Sequence, residues 1–414
     1  MQLAKYSMGV GDRFAQQGKA QLSAMRQALQ LGTEVVPVWN KSNREHQIIG
    51  TKPESVRREA DEAVNALGWD RSYHVDADHI GLKTVDGFMA ASDFFTIDVA
   101  DFTGKSVEEG EIGRFTRTYS RYAGSLSIPG LDVPLSISPA DMETAARKYL
   151  LAVHEAGRIY RHIAQARGSD DFIAEVSMDE TDLAQTPAEL LFILAAMAEE
   201  GIPAQTIAPK FSGRFNKGVD YVGDVRKFEK EFNEDLAVIA FAVKEFNLPT
   251  HLKLSVHSGS DKFSLYGPIK KALRWFDAGL HLKTAGTTWL EELIGLALAG
   301  SEGLQIAKEV YQNALQRYEE MAGPYASVID IRRSLLPEPE TVNGWSEEQF
   351  AQTLRHDPTC PQYNLHFRQL LHVGYKVAAE MGERYLQALR KYEETIAHNV
   401  TENILERHLK PLFL

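Results

Sequence analysis

A chain of 414 residues with 44% hydrophobic and 25% charged residues has a globular balance and is long enough for one large core with an added helical region. Its formal net charge is -12 and its lysines and arginines are scattered, which argues against nucleic acid or an anionic membrane as partner, since both need clustered positive charge. The single cysteine, Cys360, excludes an intrachain disulfide; no apolar run reaches the length of a membrane helix and the first residues lack a signal-peptide core, so a cytoplasmic location is expected.

In chain order, strands are expected at 6–11, 34–40, 73–79, 94–101, 172–179, 205–209, 252–257 and 280–285. Between most of them lie stretches with helical periodicity, at 19–31, 53–67, 140–166, 187–200 and 224–246. Strand followed by helix, repeated, implies parallel strands with crossover helices, and eight units point to a closed (β/α)8 TIM barrel. Ser138-Pro139 and Thr186-Pro187 read as helix starts, with a capping hydroxyl before a proline at the first helical position. Gly32, Gly68 and Gly201 follow helical runs as expected C-terminal caps. The insert 102–135 is expected to form short helices over the barrel mouth. Residues 1–325 are assigned to the barrel and 326–414 to a helical C-terminal extension packing on it.

Barrel chemistry sits at the C-terminal ends of the strands, and here those ends are polar. The third ends Asp76-Ala77-Asp78-His79, the fourth carries Asp98 and Asp101, and the fifth carries Glu175, Ser177 and Asp179. The sixth runs into Lys210, the seventh ends His257-Ser258-Gly259-Ser260-Asp261-Lys262, and the eighth carries His281 and Lys283. Strand alternation turns Glu175, Ser177, Asp179, His257, His281 and Lys283 inward. Charged groups inside a barrel are costly unless paired or metal-bound. His79, His257 and His281 on one rim, with carboxylates between them, therefore point to a divalent cation with open positions, and zinc, manganese, cobalt and nickel all suit such ligands. Asp101, Asp179 and Asp182 fit the capping of a following helix equally well. Lys210, Arg214 and Lys217 cluster after the sixth strand and are candidates for holding a substrate carboxylate.

The order of these motifs resembles the class II, metal-dependent aldolases, with Asp78-His79, Glu175 and His257-Ser258-Gly259-Ser260 in matching places. That resemblance implies Asp78 as acid/base and His79 and His257 as ligands. A histidine expected on the sixth strand is replaced by Ala208-Pro209-Lys210, which leaves His281 as the nominated third ligand and Glu175 as its substitute. Asp261-Lys262 interrupts the small residues of a phosphate cradle and favours an unphosphorylated sugar acid. A longer resemblance covers nearly the whole chain. The blocks at 9–14, 38–44, 75–81, 218–224, 255–263 and 370–376, among them Gly9-Val10-Gly11-Asp12-Arg13-Phe14 and Leu370-Leu371-His372-Val373-Gly374-Tyr375-Lys376, are similar to the tagaturonate/fructuronate epimerase family. It implies a metal-dependent epimerase of D-tagaturonate and D-fructuronate, with tagatose and fructose as further substrates. Asp78 and Glu175 are read as acid/base groups, and Asp12, Lys41, Asp98, Lys210, Arg214, Ser258, Asp261, Lys262 and Lys283 as substrate-binding candidates. Arg368 and His372 either reach the site or pack helices. A class II-type aldolase acting on an unphosphorylated sugar acid, and a non-catalytic sugar-binding or aldolase-partner subunit, stay open as alternatives, as does a homo-oligomeric state.

Overall fold

A computed structural model of the chain describes residues 1–179, 181, 183–284 and 286–414. Eight strands form the centre: β1 (Tyr6–Gly11), β2 (Val36–Ser42), β3 (His74–Ile80), β4 (Phe94–Asp98), β5 (Ile173–Ser177), β6 (Thr206–Ala208), β7 (Lys253–His257) and β8 (Leu280–Lys283). Each pairs in parallel with its sequence neighbours, and β8 pairs back on β1, so the expected barrel closes. Observed strand ends shift from the expected ones where a turn intervenes; β4 stops at Asp98 because residues 100–102 form a 3-10 turn. Ala285, the expected end of β8, and Asp182 lie outside the described residues.

Helices Gly18–Gln30, Glu54–Leu67, Pro139–Arg167, Pro187–Glu199, Val225–Glu245, Phe263–Phe276 and Thr288–Leu298 surround the barrel. The crossover from β3 to β4 is a 3-10 turn, Val85–Phe88. Ser138 and Thr186 cap their helices as expected, each closing a capping box with Asp141 or Glu189. The third residue of each helix thereby satisfies a backbone N–H that helix geometry leaves unpaired.

Side-chain alternation sorts the barrel interior into layers. Leu3, Val36, Val38, Phe94 and Ile173 form an apolar plug at the N-terminal end. Above it Ser7, Ser255 and His281 share one register level, and Lys283 and His257 share the level nearest the mouth. Gly9 is needed where β1 passes β8: a Cβ there would sit 2.8 Å from the Thr284 backbone nitrogen and 2.9 Å from Asn40 Nδ2.

The insert departs from expectation. It contains one α-helix, Glu109–Thr118, a short 3-10 helix, Ser120–Tyr122, and an antiparallel hairpin, Gly124–Leu126 with Leu135–Ile137. It lies on the outer helical layer, not over the mouth: Tyr119 and Tyr122 pack on Phe246 at the far end of helix Val225–Glu245, and Tyr119 on Phe192. Its aromatic residues find apolar surface there.

The C-terminal helices share one continuous apolar core with the barrel's outer layer. Their polar anchor is Arg368, fully buried, in helix Leu365–Val373. It donates to Asp261 Oδ2 at 2.7 Å, Thr287 Oγ1 at 3.0 Å, Leu354 O at 2.9 Å and Gly218 O. His356 and His408 also reach Asp261, each at 3.1 Å. Burial raises the pKa of the Asp261 carboxyl, but Arg368 and the two imidazoles outweigh it and hold it well below the usual carboxylate range.

Removing one partner of a buried ion pair strands the other. Arg368→Met should therefore lower stability by about 3–5 kcal/mol, read as a lower denaturation midpoint. Because the folded-state pKa of Asp261 is depressed, the contribution is complete above about pH 4 and fades as pH falls below it. The gap between variant and wild type should narrow in acid.

Candidate metal centre and acid/base site

The mouth of the barrel collects three potential ligands. One ligand atom from each of His79, Asp179 and His257 lies within 4.8 Å of the others. The two imidazole rings meet edge to face, centroids 5.2 Å apart. His79 is placed by a strained backbone. The register of β3 against β4 shifts between Ala77 and Ile80, and His79 adopts φ +49°, a left-handed conformation costing about 1–3 kcal/mol. That irregularity leaves Asp78 and His79, adjacent in sequence, both near the mouth instead of on opposite faces.

Each ring is held by a carboxylate on its other side. His79 Nδ1 donates to Asp98 Oδ2 at 2.8 Å, leaving Nε2 free to bind. His257 Nε2 donates to Glu175 Oε1 at 2.7 Å, and its Nδ1 lies 3.1 Å from Asp179 Oδ1. The His257 Nδ1 is buried and makes no hydrogen bond among the described residues. Carboxylate-oriented histidines with one nitrogen left over are how proteins present imidazole to a metal. The donor set of two nitrogens and one oxygen, with further positions open, fits a divalent cation. The electrostatics agree in sign. Burial lowers the pKa of both imidazoles, yet Asp78 and Asp98 raise His79 to about 9, and Asp179 and Glu175 raise His257 to about 10. The carboxylates thus favour positive charge at this point.

Below the rings lies a buried ion cluster. Lys283 Nζ is 2.6 Å from Asp76 Oδ2, 2.9 Å from Asp78 Oδ1 and 3.6 Å from Glu175 Oε1, and it donates to Thr96 Oγ1. Burial lowers the pKa of this ammonium, but Asp76, Asp78 and Glu175 outweigh it and hold the group above its ordinary value. Asp76 is pushed up to about 6, chiefly by burial. For Asp78, burial acts upward, but Lys283, His79 and His257 win and its pKa falls below the ordinary value. Asp78 is therefore an ionised carboxylate beside the candidate ligands. Glu175 is fully buried, its Oε2 accepting from Thr206 Oγ1 at 2.7 Å and its Oε1 engaged by His257. Its place is under His257, orienting the ring.

Several expectations need correction. His281 is not with the other histidines. It sits one register level deeper, about 6.6 Å along the strand. Its Nδ1 is 2.9 Å from Ser7 Oγ and its ring packs on Phe94. Burial lowers its pKa to about 3, as for a neutral core imidazole. Asp179 takes the third position instead, and its parity with Glu175 and Ser177 was the available signal. Asp12 spends its carboxylate on the backbone N–H groups of Phe14, Ala15, Gln16 and Gln17. Lys41 shares a face with Trp39, whose indole donates to Gln21 of the first helix; it points into the helical layer and acts on Glu59. Arg214 pairs with Asp330 of the extension at 2.8 Å. Ser258 donates to the Lys283 carbonyl at 2.9 Å. Lys262 donates to the carbonyls of Asn216 and Val219, and Asp261 holds Arg368. These side chains build the loops around the mouth. Lys210 is half-buried, its backbone tied to Gln185, with no partner for its ammonium among the described residues. Sequence reasoning gave no role to Asp76 and Thr96, which join Lys283.

Comparison with known proteins adds to this geometry. The chain is 29% identical over 423 residues to the tagaturonate/fructuronate epimerase of Thermotoga maritima, covering 97% of this chain and 80% of that one. A glycerol-bound crystal structure of the fructuronate-tagaturonate epimerase UxaE from Cohnella laeviribosi superposes with a TM-score of 0.81 at 23% identity, over 100% of this chain and 82% of that one. Its native form gives 0.78 at 23% identity, over 99% and 82%. These superpositions show a shared fold. The family model for UxaE, tagaturonate epimerase, matches residues 1–412, and the chain belongs to that family.

Proposed function

We propose that this protein is a divalent-metal-dependent epimerase interconverting D-tagaturonate and D-fructuronate, acting also on tagatose and fructose. The observation that carries the reading is the meeting of His79, His257 and Asp179 at one point beside the ionised Asp78. Family membership and the name of the Thermotoga maritima relative supply the substrate. No described helix is long and apolar enough to cross a membrane, and with Cys360 unpaired a cytoplasmic location suits the chain.

The carbon to be inverted lies one position beyond the neighbour of the ketone, so enolisation does not acidify its hydrogen. A retro-aldol route avoids that difficulty. Zinc, manganese, cobalt or nickel held by His79, His257 and Asp179 would supply Lewis-acid polarisation of the ketone and adjacent hydroxyl. Asp78 takes the proton from the hydroxyl on the carbon to be inverted, and the bond from that carbon toward the ketone breaks. The aldehyde fragment turns, the bond re-forms on its other face, and Asp78 returns the proton. Lys283 keeps Asp78 ionised and, as a locked ammonium, is unsuited to attack the ketone as an amine. A two-base proton transfer needs acid/base groups on opposite faces. Glu175 is committed to His257 and Thr206, which favours the single-base route.

Incubation with tagaturonate should yield fructuronate without three-carbon fragments; chelator should stop it and divalent metal restore it. Asp78→Asn should cut turnover by on the order of 10² or more with metal content unchanged, measured by elemental analysis beside the rate. His257→Ala should lose metal, and retention of full metal would remove it from the ligand set. Reaction in deuterium oxide should leave the inverted carbon unlabelled; label there would reject the retro-aldol route.

A further inference from the structure

The junction between the loop 211–222 and the C-terminal extension collects cations, one of which, Lys217, has no carboxylate partner among the described residues. Four cations act on His372: Arg13, Lys217, Arg368 and Lys262. Arg368 is matched by Asp261, and Lys262 by backbone carbonyls. Arg13 donates through Nε to Glu45 at 3.1 Å and lies over the Tyr375 ring at 4.2 Å, with no partner for its Nη donors among the described residues. Nearby Asp220 spends its carboxylate on Tyr221 and Ser264. Lys217 has no carboxylate partner among the described residues.

His372 faces this charge from helix Leu365–Val373. It is 4% exposed, and its Nδ1 is buried without a hydrogen bond among the described residues. Burial first, then the four cations, hold its pKa well below the ordinary value, so the ring is neutral and can donate or accept at that nitrogen. The approach requires Gly218, at φ +77°, where a Cβ would come within 3.2 Å of the His372 Cβ. Lys217 Nζ in turn lies 3.9 Å from where a Cβ of Gly259 would be, two residues beyond His257. An ammonium and guanidinium donors without partners among the described residues, beside a buried imidazole nitrogen that makes no hydrogen bond, are the components of an anion site.

We propose that Lys217, His372 and Arg13 form the subsite for the carboxylate of the sugar acid, a subsite that a neutral ketose leaves unfilled. The inference rests on the epimerase reading and deepens it. Four carbon–carbon bonds separate the keto carbon from the carboxyl carbon, a span of roughly 5 Å. Gly259, beside which Lys217 Nζ lies, is two residues from His257, so the proposal puts the ketone at the histidine pair and the acid end at Lys217.

The test is calorimetric titration of the metal-loaded protein with an equilibrated tagaturonate/fructuronate mixture, with metal content and melting temperature as controls. Lys217→Met should weaken binding by about 10- to 100-fold, the worth of one charge-assisted contact, and Lys217→Arg should keep most of the affinity. His372→Phe, which preserves ring packing, should weaken it as well. Affinity of Lys217→Met within about twofold of wild type, a factor below the worth of any such contact, overturns the subsite. So does an equal loss in Lys217→Arg. Binding lost in Lys217→Met by a wild type that does not interconvert the two acids retains the subsite and removes the epimerase reading. Interconversion with unaltered binding in Lys217→Met does the reverse.

Discussion

An ammonium buried at the centre of a barrel must be compensated, and that constraint organises this molecule. Lys283 is fully enclosed and is held by Asp76, Asp78, Glu175 and Thr96. None of the carboxylates would stay ionised there alone, and the ammonium would not stay charged without them. The cluster is therefore all or nothing. Once formed it fixes the charge of Asp78, and through Glu175 it fixes the ring of His257. The candidate acid/base group and one candidate ligand are set by the same ion network.

The second requirement is backbone strain at the mouth. His79 is left-handed at φ +49°, and so are the β-branched Thr284 and Thr287 after β8, at φ 55° and 28°. Such conformations persist only where surrounding contacts over-determine them. At His79 the hold is Asp98 on Nδ1. After β8 it comes from elsewhere in the chain. Asn40 donates to Thr284, Arg368 to Thr287, and Asn403 to the Gly286 carbonyl. His408 and Asn403 lie in a π-helical turn, Asn403–Leu409, whose widened spacing lets His408 Nδ1 donate back to the Asn403 carbonyl while Nε2 faces Asp261.

The C-terminal extension thus holds the barrel's loops in place. Asp261, Ser258 and Lys262 occupy the stretch that an aldolase would use to cradle phosphate, and here they are consumed by Arg368, the Lys283 carbonyl and the loop 216–219.

The sequence by itself determined the architecture and the local character of the site. Eight strand segments separated by amphipathic helices point to a parallel sheet covered by helices, here closed into a barrel, and Ser138-Pro139 and Thr186-Pro187 start helices by chemistry local to four residues. Alternation on β5 and β7 was enough to turn Glu175, Asp179 and His257 inward. Only the tertiary structure decided depth and partnership. His281 and Lys283 face the same way, and register alone puts one on Ser7 in the floor and the other against Asp76 and Asp78 near the mouth. Lys41 and Asp12 carry the right charge, but one faces the helices and the other is spent on a turn. Which charge remains unpaired depends on contacts between residues far apart in the chain, such as Arg214 with Asp330 and Asp261 with Arg368. Periodicity along the chain carries no record of those contacts.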